Sequence, residues 1–201
     1  MRILVTGVTG QLGWELARCI SVRGQLLTPD RSALDLTNPG RVVSWLNEHK
    51  PDLIINPAAF TAVDLAEQEV DTAMAVNGES PARMAAWAAQ HDVALVHFST
   101  DYVYDGLGSE PFDERATPAP KGVYGASKLA GDQAIVQSGA VHLILRTSWV
   151  YAAQGKNFLN TMLKLAETGK PLRVVGDQVG APTSARLLGD ACVSVLSRFG
   201  T

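Results

Sequence analysis

Short apolar runs recur along the chain, each closed by turn residues. Arg2-Ile3-Leu4-Val5, Leu26-Leu27-Thr28-Pro29, Asp52-Leu53-Ile54-Ile55-Asn56, Val93 to Phe98, Val141 to Thr147 and Pro171 to Val175 have the length and side chains of buried strands. The stretches between them carry helical signals. One helix begins at Trp14 and ends near Arg23-Gly24, and a second starts at Thr37-Asn38-Pro39 with Val42, Val43 and Leu46 on its apolar face. A long alanine-rich helix is expected from Val70 to Gln90, with Met74, Met84 and Trp87 as core contacts. Further helices are expected from Tyr124 to Gln137, from Asn157 to Ala166 and, amphipathic, from Ser184 to Arg198. Strict alternation of strand and helix predicts right-handed crossovers and a doubly wound parallel α/β sheet with helices on both faces.

Length and charge narrow the picture. A chain of 201 residues fits a single domain, 1–201, large enough to bury a core. Charged residues make up 18% and the net charge is −3, which argues against a nucleic-acid or membrane-surface binder. No apolar run is long enough to span a membrane, and Cys19 and Cys192 form no C-x-x-C, so a reducing cytoplasmic setting is expected, with both cysteines as small core residues.

Candidate chemistry gathers where strands end. After the first strand comes Thr6-Gly7-Val8-Thr9-Gly10-Gln11-Leu12-Gly13, a strand, glycine turn and helix in succession. Glycines there let the backbone turn sharply, bring N–H groups to an anion and pack helix on strand, which suits a dinucleotide pyrophosphate. A tight turn without a ligand is the competing reading. Asp30 lies about 20 residues beyond the turn, where such folds place a ribose carboxylate, though it could equally cap a local turn. Arg31 beside it could meet a 2′-phosphate, so NADH and NADPH both stay open. Pro57-Ala58-Ala59-Phe60-Thr61 is a small-residue loop suited to close approach by a flat ring, and Ser99-Thr100-Asp101-Tyr102 closes the fourth strand.

Tyr124 and Lys128 stand four apart in a predicted helix and share a face. A tyrosine is a poor acid–base catalyst near neutrality, and an adjacent ammonium is expected to lower its pKa by favouring the phenolate.

With these residues together the chain resembles the extended short-chain dehydrogenase/reductase family. Gly7 to Gly13, Ala58 to Asp64, Ser99 to Val103, Tyr124 to Gly131 and Arg146 to Tyr151 look like its dTDP-4-dehydrorhamnose reductase branch, in the family's order. The resemblance implies a Rossmann-like fold and reduction of the C4 keto group of dTDP-4-dehydro-L-rhamnose to dTDP-L-rhamnose, for cell-surface polysaccharide. Dehydration is disfavoured, because Tyr102 stands where the related dehydratases carry an acid. By the same resemblance Tyr124 would protonate the alkoxide, Lys128 would hold the nicotinamide ribose and tune the tyrosine, and Thr100 would hydrogen-bond the carbonyl. Gly7, Gly10, Gln11, Leu12, Gly13, Asp30, Arg31, Asp35, Leu36, Ala58, Ala59 and Thr61 would line NADPH or NADH. Asp101 and Trp149 would touch the dTDP-sugar, Trp149 having a core role as its alternative. Residues 148–201 would begin the substrate-binding part, which the family extends further. Some members join subunits through a metal held by glutamates. Glu15 matches one such position but Arg186 stands at another, so no metal is expected and a homodimer is left open. A cofactor-binding regulatory subunit, like the methionine adenosyltransferase beta subunit, and a sugar-nucleotide epimerase are the competing functions.

Overall fold

A computed structural model describes residues 1–169 and 174–198. Five strands form one parallel sheet: β1 (Arg2–Val5), β2 (Gln25–Leu27), β3 (Leu53–Asn56), β4 (Ala94–Thr100) and β5 (His142–Thr147), in the spatial order β2-β1-β3-β4-β5. The order reverses between β1 and β3, which opens a crevice outside their carboxyl ends. Helices α1 (Gln11–Ile20), α2 (Pro39–His49), α3 (Val63–Ala66), α4 (Val70–Met74), α5 (Ser80–Gln90) and α6 (Val123–Gln137) supply the crossovers. A second parallel pair, β6 (Val150–Tyr151) with β7 (Thr183–Ser184), follows β5, flanked by α7 (Phe158–Glu167) and α8 (Ala185–Arg198). The expected doubly wound parallel architecture is borne out.

Alternation along each strand sorts the core into two layers. On one face Ile3, Val5, Leu53, Ile55, Val96 and Phe98 pack with Leu16 and Ile20 of α1 and Cys192 and Leu196 of α8. On the other, Leu4, Ile54 and Leu95 meet Val42 and Leu46 of α2, Met84, Ala85 and Trp87 of α5, and Ile135 of α6. Neither cysteine is in a disulfide; Cys192 is buried as expected, but Cys19 is only partly so, its thiol directed to Asp190.

Local chemistry explains most boundaries. Asn38 caps α2 by accepting from the Arg41 amide at 3.3 Å, and Pro39 occupies the first turn, where no N–H is needed. Asn157 caps α7, accepting from the Asn160 amide at 2.8 Å. The charged, proline-rich segment between Tyr104 and α6 is pinned by neighbours: Tyr104 stacks on Phe112 at 4.5 Å and its hydroxyl donates to the Asp113 carbonyl.

Two expectations are revised. The helix expected from Val70 to Gln90 contains a π turn at Ala75–Glu79 between α4 and α5. Pro81 has no N–H to return to the carbonyl of Asn77, so the regular ladder is interrupted there. Of the strand expected at Pro171 to Val175, residues 171–173 lie outside the described residues, while Val174 and Val175 are exposed and irregular. Among the described residues no helix is long and apolar enough to cross a membrane.

The π turn allows close packing on α6. A Cβ at Gly131 would overlap the Asn77 carbonyl oxygen, whereas one at Gly40 would meet only an ordinary contact, Asn38 Oδ1 at 3.5 Å. Gly131→Ala should therefore destabilise the fold by about 1–3 kcal/mol despite alanine's helix propensity, and Gly40→Ala should stabilise it by up to about 1 kcal/mol. Urea denaturation of both variants measures the contrast.

Candidate active site

The glycine turn is shaped by close approach. Gly7 has φ +58°, and a Cβ on it would stand 3.0 Å from the Ala58 Cα; a Cβ on Gly13 would overlap the Gly7 carbonyl. Gly10 donates its amide to that carbonyl at 2.9 Å and occupies the cap position of α1, where no side chain accepts from the first turn and no acidic residue stands. A helix start that is positively polarised, uncapped and ringed by glycine fits an anionic pyrophosphate. Gln11 accepts from Asn157 Nδ2 at 2.7 Å, which ties this turn to the start of α7.

Asp30 is exposed, and its Oδ1 accepts from the Ser32 amide and hydroxyl and the Ala33 amide, interactions that hold its pKa below the usual value. The local turn reading of Asp30 thus holds for that oxygen. Arg31 lies 3.7 Å from Asp35, itself tied to the Thr37 amide. Leu36 is buried in the core, so its side chain is committed to packing. Ala58 donates its amide to Thr6 Oγ1 at 3.2 Å; Ala58 and Ala59 are half-buried and Thr61 is exposed.

Thr100, Asp101 and Trp149 all fall at the carboxyl edge. Thr100 donates to Asp101 Oδ1 at 3.1 Å, and Ser148 donates to Asp101 Oδ2 at 2.6 Å. Trp149 is half-exposed with φ +46°, a strained conformation for a bulky residue. A Cβ on Gly180 would come within 2.6 Å of its indole, so that glycine makes room for the ring.

On α6, Tyr124, Lys128 and Asp132 follow at intervals of one turn. Tyr124 packs edge-on against Tyr102 at 5.4 Å. Its pKa is raised, first by burial and further by Asp101, Tyr102 and Asp132, while the Thr100 hydroxyl pulls it down. This corrects the expectation of a lowered tyrosine pKa: the phenolate loses solvent and faces negative neighbours, and the Lys128 ammonium has Asp132 beside it. Lys128 is 1% exposed. Its Nζ donates to the Phe98 carbonyl at 2.7 Å and lies 3.0 Å from His97 Nε2. Burial lowers its pKa to about 8, with Asp132 opposing.

The sequence reading missed the polar row beneath this lysine. Register places Asn56 opposite His97, and alternation turns Thr6, Asn56, His97 and Ser99 toward the α6 side. Thr6 donates to Asn56 Oδ1 at 2.6 Å and Asn56 Nδ2 stands 3.1 Å from His97 Nδ1. Ser99 donates to Asp132 Oδ2 at 2.6 Å, and Arg146 approaches the same oxygen at 3.9 Å. Asn77, in the π turn, clamps both backbone groups of Phe60 and donates to Ser127 of α6. A histidine inside an otherwise apolar strand, and an aspartate one turn past Lys128, were the available signals. Glu15 pairs with Arg18 at 3.0 Å, and Arg186 is exposed.

The profile of the RmlD substrate binding domain matches residues 1–200. The chain belongs to that family. A dTDP-4-dehydrorhamnose reductase of Burkholderia thailandensis is 46% identical over 197 residues, covering 98% of this chain and 66% of the relative. The crystal structure of a dTDP-4-dehydrorhamnose reductase from Clostridium acetobutylicum superposes with a TM-score of 0.93 at 39% identity, over 98% of this chain and 71% of that one. One from Bacillus anthracis, solved in complex with NADP, gives 0.92 at 36% identity, over 98% and 70%. The chain thus spans just under two thirds of the length of curated relatives such as the Burkholderia protein, at 66%. The family resemblance read from the motifs is borne out.

Lys128 gives the site a pH signature. The unfolded chain, with a lysine pKa of about 10.4, keeps a proton that the folded state releases above about 8. The lysine's contribution to stability therefore rises with pH across that window. Relative to Lys128→Met, the parent chain should gain on the order of 3 kcal/mol between about pH 7 and about pH 11, read from urea titrations of both.

Proposed function

We propose that this chain carries the reducing half-site of an NAD(P)H-dependent oxidoreductase that reduces the C4 keto group of dTDP-4-dehydro-L-rhamnose to dTDP-L-rhamnose. The observation that carries it is the convergence of Thr100, Tyr124 and Lys128 at the carboxyl edge that also holds the glycine turn. A bound reduced nicotinamide supplies the hydride. Gly7, Gly10, Gln11, Leu12 and Gly13 seat its pyrophosphate, the Ala58-Ala59 to Thr61 loop gives room for close approach, and Asp30, Arg31 and Asp35 stand near the adenosine side. Either NADPH or NADH suits these residues; the complex with NADP belongs to the Bacillus anthracis relative.

Reduction leaves an alkoxide that needs a proton. A tyrosine of raised pKa remains a phenol at neutrality and is the donor form the step requires. Thr100 turns its hydroxyl from Asp101 Oδ1 to the carbonyl oxygen, and Lys128 holds the ribose with the one N–H that Phe98 and His97 leave to it. Asp101 and Trp149 orient the sugar nucleotide. Residues 148–201 begin the substrate-binding part. Within it β6 and β7 pair apart from the main sheet, and the Asn157 to Gln11 bond fastens the start of α7 to the glycine turn.

Absorbance loss of NADPH and NADH, each with the dTDP-sugar, tests the proposal. Net oxidation supports reduction, and an epimerase would consume no cofactor. Tyr124→Phe should lower turnover by at least about a hundredfold and leave cofactor affinity nearly intact; retained turnover would remove Tyr124 from the acid role.

A further inference from the structure

Lys128, His97, Asn56 and Thr6 form a continuous buried array, none more than 3% exposed. It runs from the lysine Nζ through both imidazole nitrogens to the Asn56 amide, the Thr6 hydroxyl and the Ala58 backbone beside Gly7. An ammonium has three N–H donors. The Phe98 carbonyl and His97 take two, leaving one for a guest.

A neutral imidazole has one donor nitrogen and one acceptor. When Lys128 is charged, Nε2 must accept from it and Nδ1 carries the proton. The Asn56 amide then presents its oxygen to Nδ1 and turns its nitrogen to Thr6. When Lys128 is neutral the roles invert: Nε2–H donates to the amine, and Nδ1 accepts from Asn56 Nδ2, the orientation seen here. The charged array holds one proton more than the neutral one, and that proton exchanges with solvent.

We propose that His97 is the positioning residue of Lys128 and that its tautomer follows the lysine's charge, so that one imidazole holds Nζ in both proton states. This rests on the reading of Lys128 as the ribose-holding lysine. Other groups set the balance. On α6, Asp132 Oδ1 lies 3.9 Å from His97 Nε2, has no hydrogen-bond partner among the described residues and favours the ammonium. Arg146 on β5 draws on Asp132 through its other oxygen, while Tyr124 and, at the end of β4, Asp101 complete the titratable surroundings. Asn56, from β3, is neutral. His97 stays uncharged because burial and Lys128 hold its pKa well below the usual value. Lysine titration near pH 8 puts both arrangements within reach of neutrality.

The test is ¹⁵N NMR of the imidazoles in the cofactor-free chain from about pH 6 to about pH 10, with the His97 signals identified by their loss in His97→Gln. His97 should change from the Nδ1–H to the Nε2–H tautomer with the midpoint of Lys128, and show no such change in Lys128→Met; a single tautomer throughout in the parent chain overturns the switch. NADPH affinity by fluorescence titration tests the positioning. Glutamine reaches the place of Nε2 and can both donate and accept, so His97→Gln should bind nearly as the parent does. Asparagine reaches only the place of Nδ1, so His97→Asn should bind roughly tenfold more weakly. Equal affinity of the two variants overturns the positioning role. A parent chain that switches tautomer yet binds neither NADPH nor NADH would instead overturn the functional reading.

Discussion

A lysine taken out of water must find acceptors for its charge, and the carboxyl edge of this sheet is organised by that need. Isolated burial of an ammonium is costly enough that the group would sooner release its proton. Lys128 meets a backbone carbonyl, an imidazole and, nearby, a carboxylate. Asp132 offsets part of the desolvation, which leaves a pKa of about 8, close to the range in which proton-transfer chemistry operates.

That requirement reaches outward through the fold. The face of the sheet toward α6 changes along its length from Leu4, Ile54 and Leu95 to Thr6, Asn56 and His97, so its apolar half packs helices and its polar half serves the lysine. Asp132 repeats the stripe one turn further and is itself held by Ser99. Helix α6 can lie this close only because Gly125 and Gly131 carry no Cβ against the Tyr102 and Asn77 carbonyls. The π turn and the two glycines are thus part of how Tyr124 and Lys128 reach the edge, although neither contacts the reacting groups.

Strain and close approach concentrate at the same edge. Gly7 turns with positive φ against Ala58, and Trp149 holds a left-handed backbone with its ring over Gly180. A scaffold built of short strands with two packed faces can hold such positions in place. The bond from Asn157 to Gln11 then joins the second, two-stranded part of the chain to the turn that begins the first.

Local patterns determined much of this in advance. Apolar runs of strand length, capping residues such as Asn38 and Asn157, and the i,i+4 spacing of Tyr124 and Lys128 encode elements and shared faces directly, because neighbours in sequence fix backbone periodicity. The fold class, the glycine turn and the tyrosine helix were therefore legible in the sequence. The π turn was not, since a single proline within an alanine-rich helix gives only a weak local signal. Nor were the direction of the Tyr124 pKa shift or the commitment of Leu36 to the core, whereas the turn around Asp30 was one of the two readings its position offered. The row from Thr6 through Asn56 to His97 depends on strand register between residues 50 and 41 positions apart, and a pKa depends on which charges tertiary packing brings near and how much water it excludes.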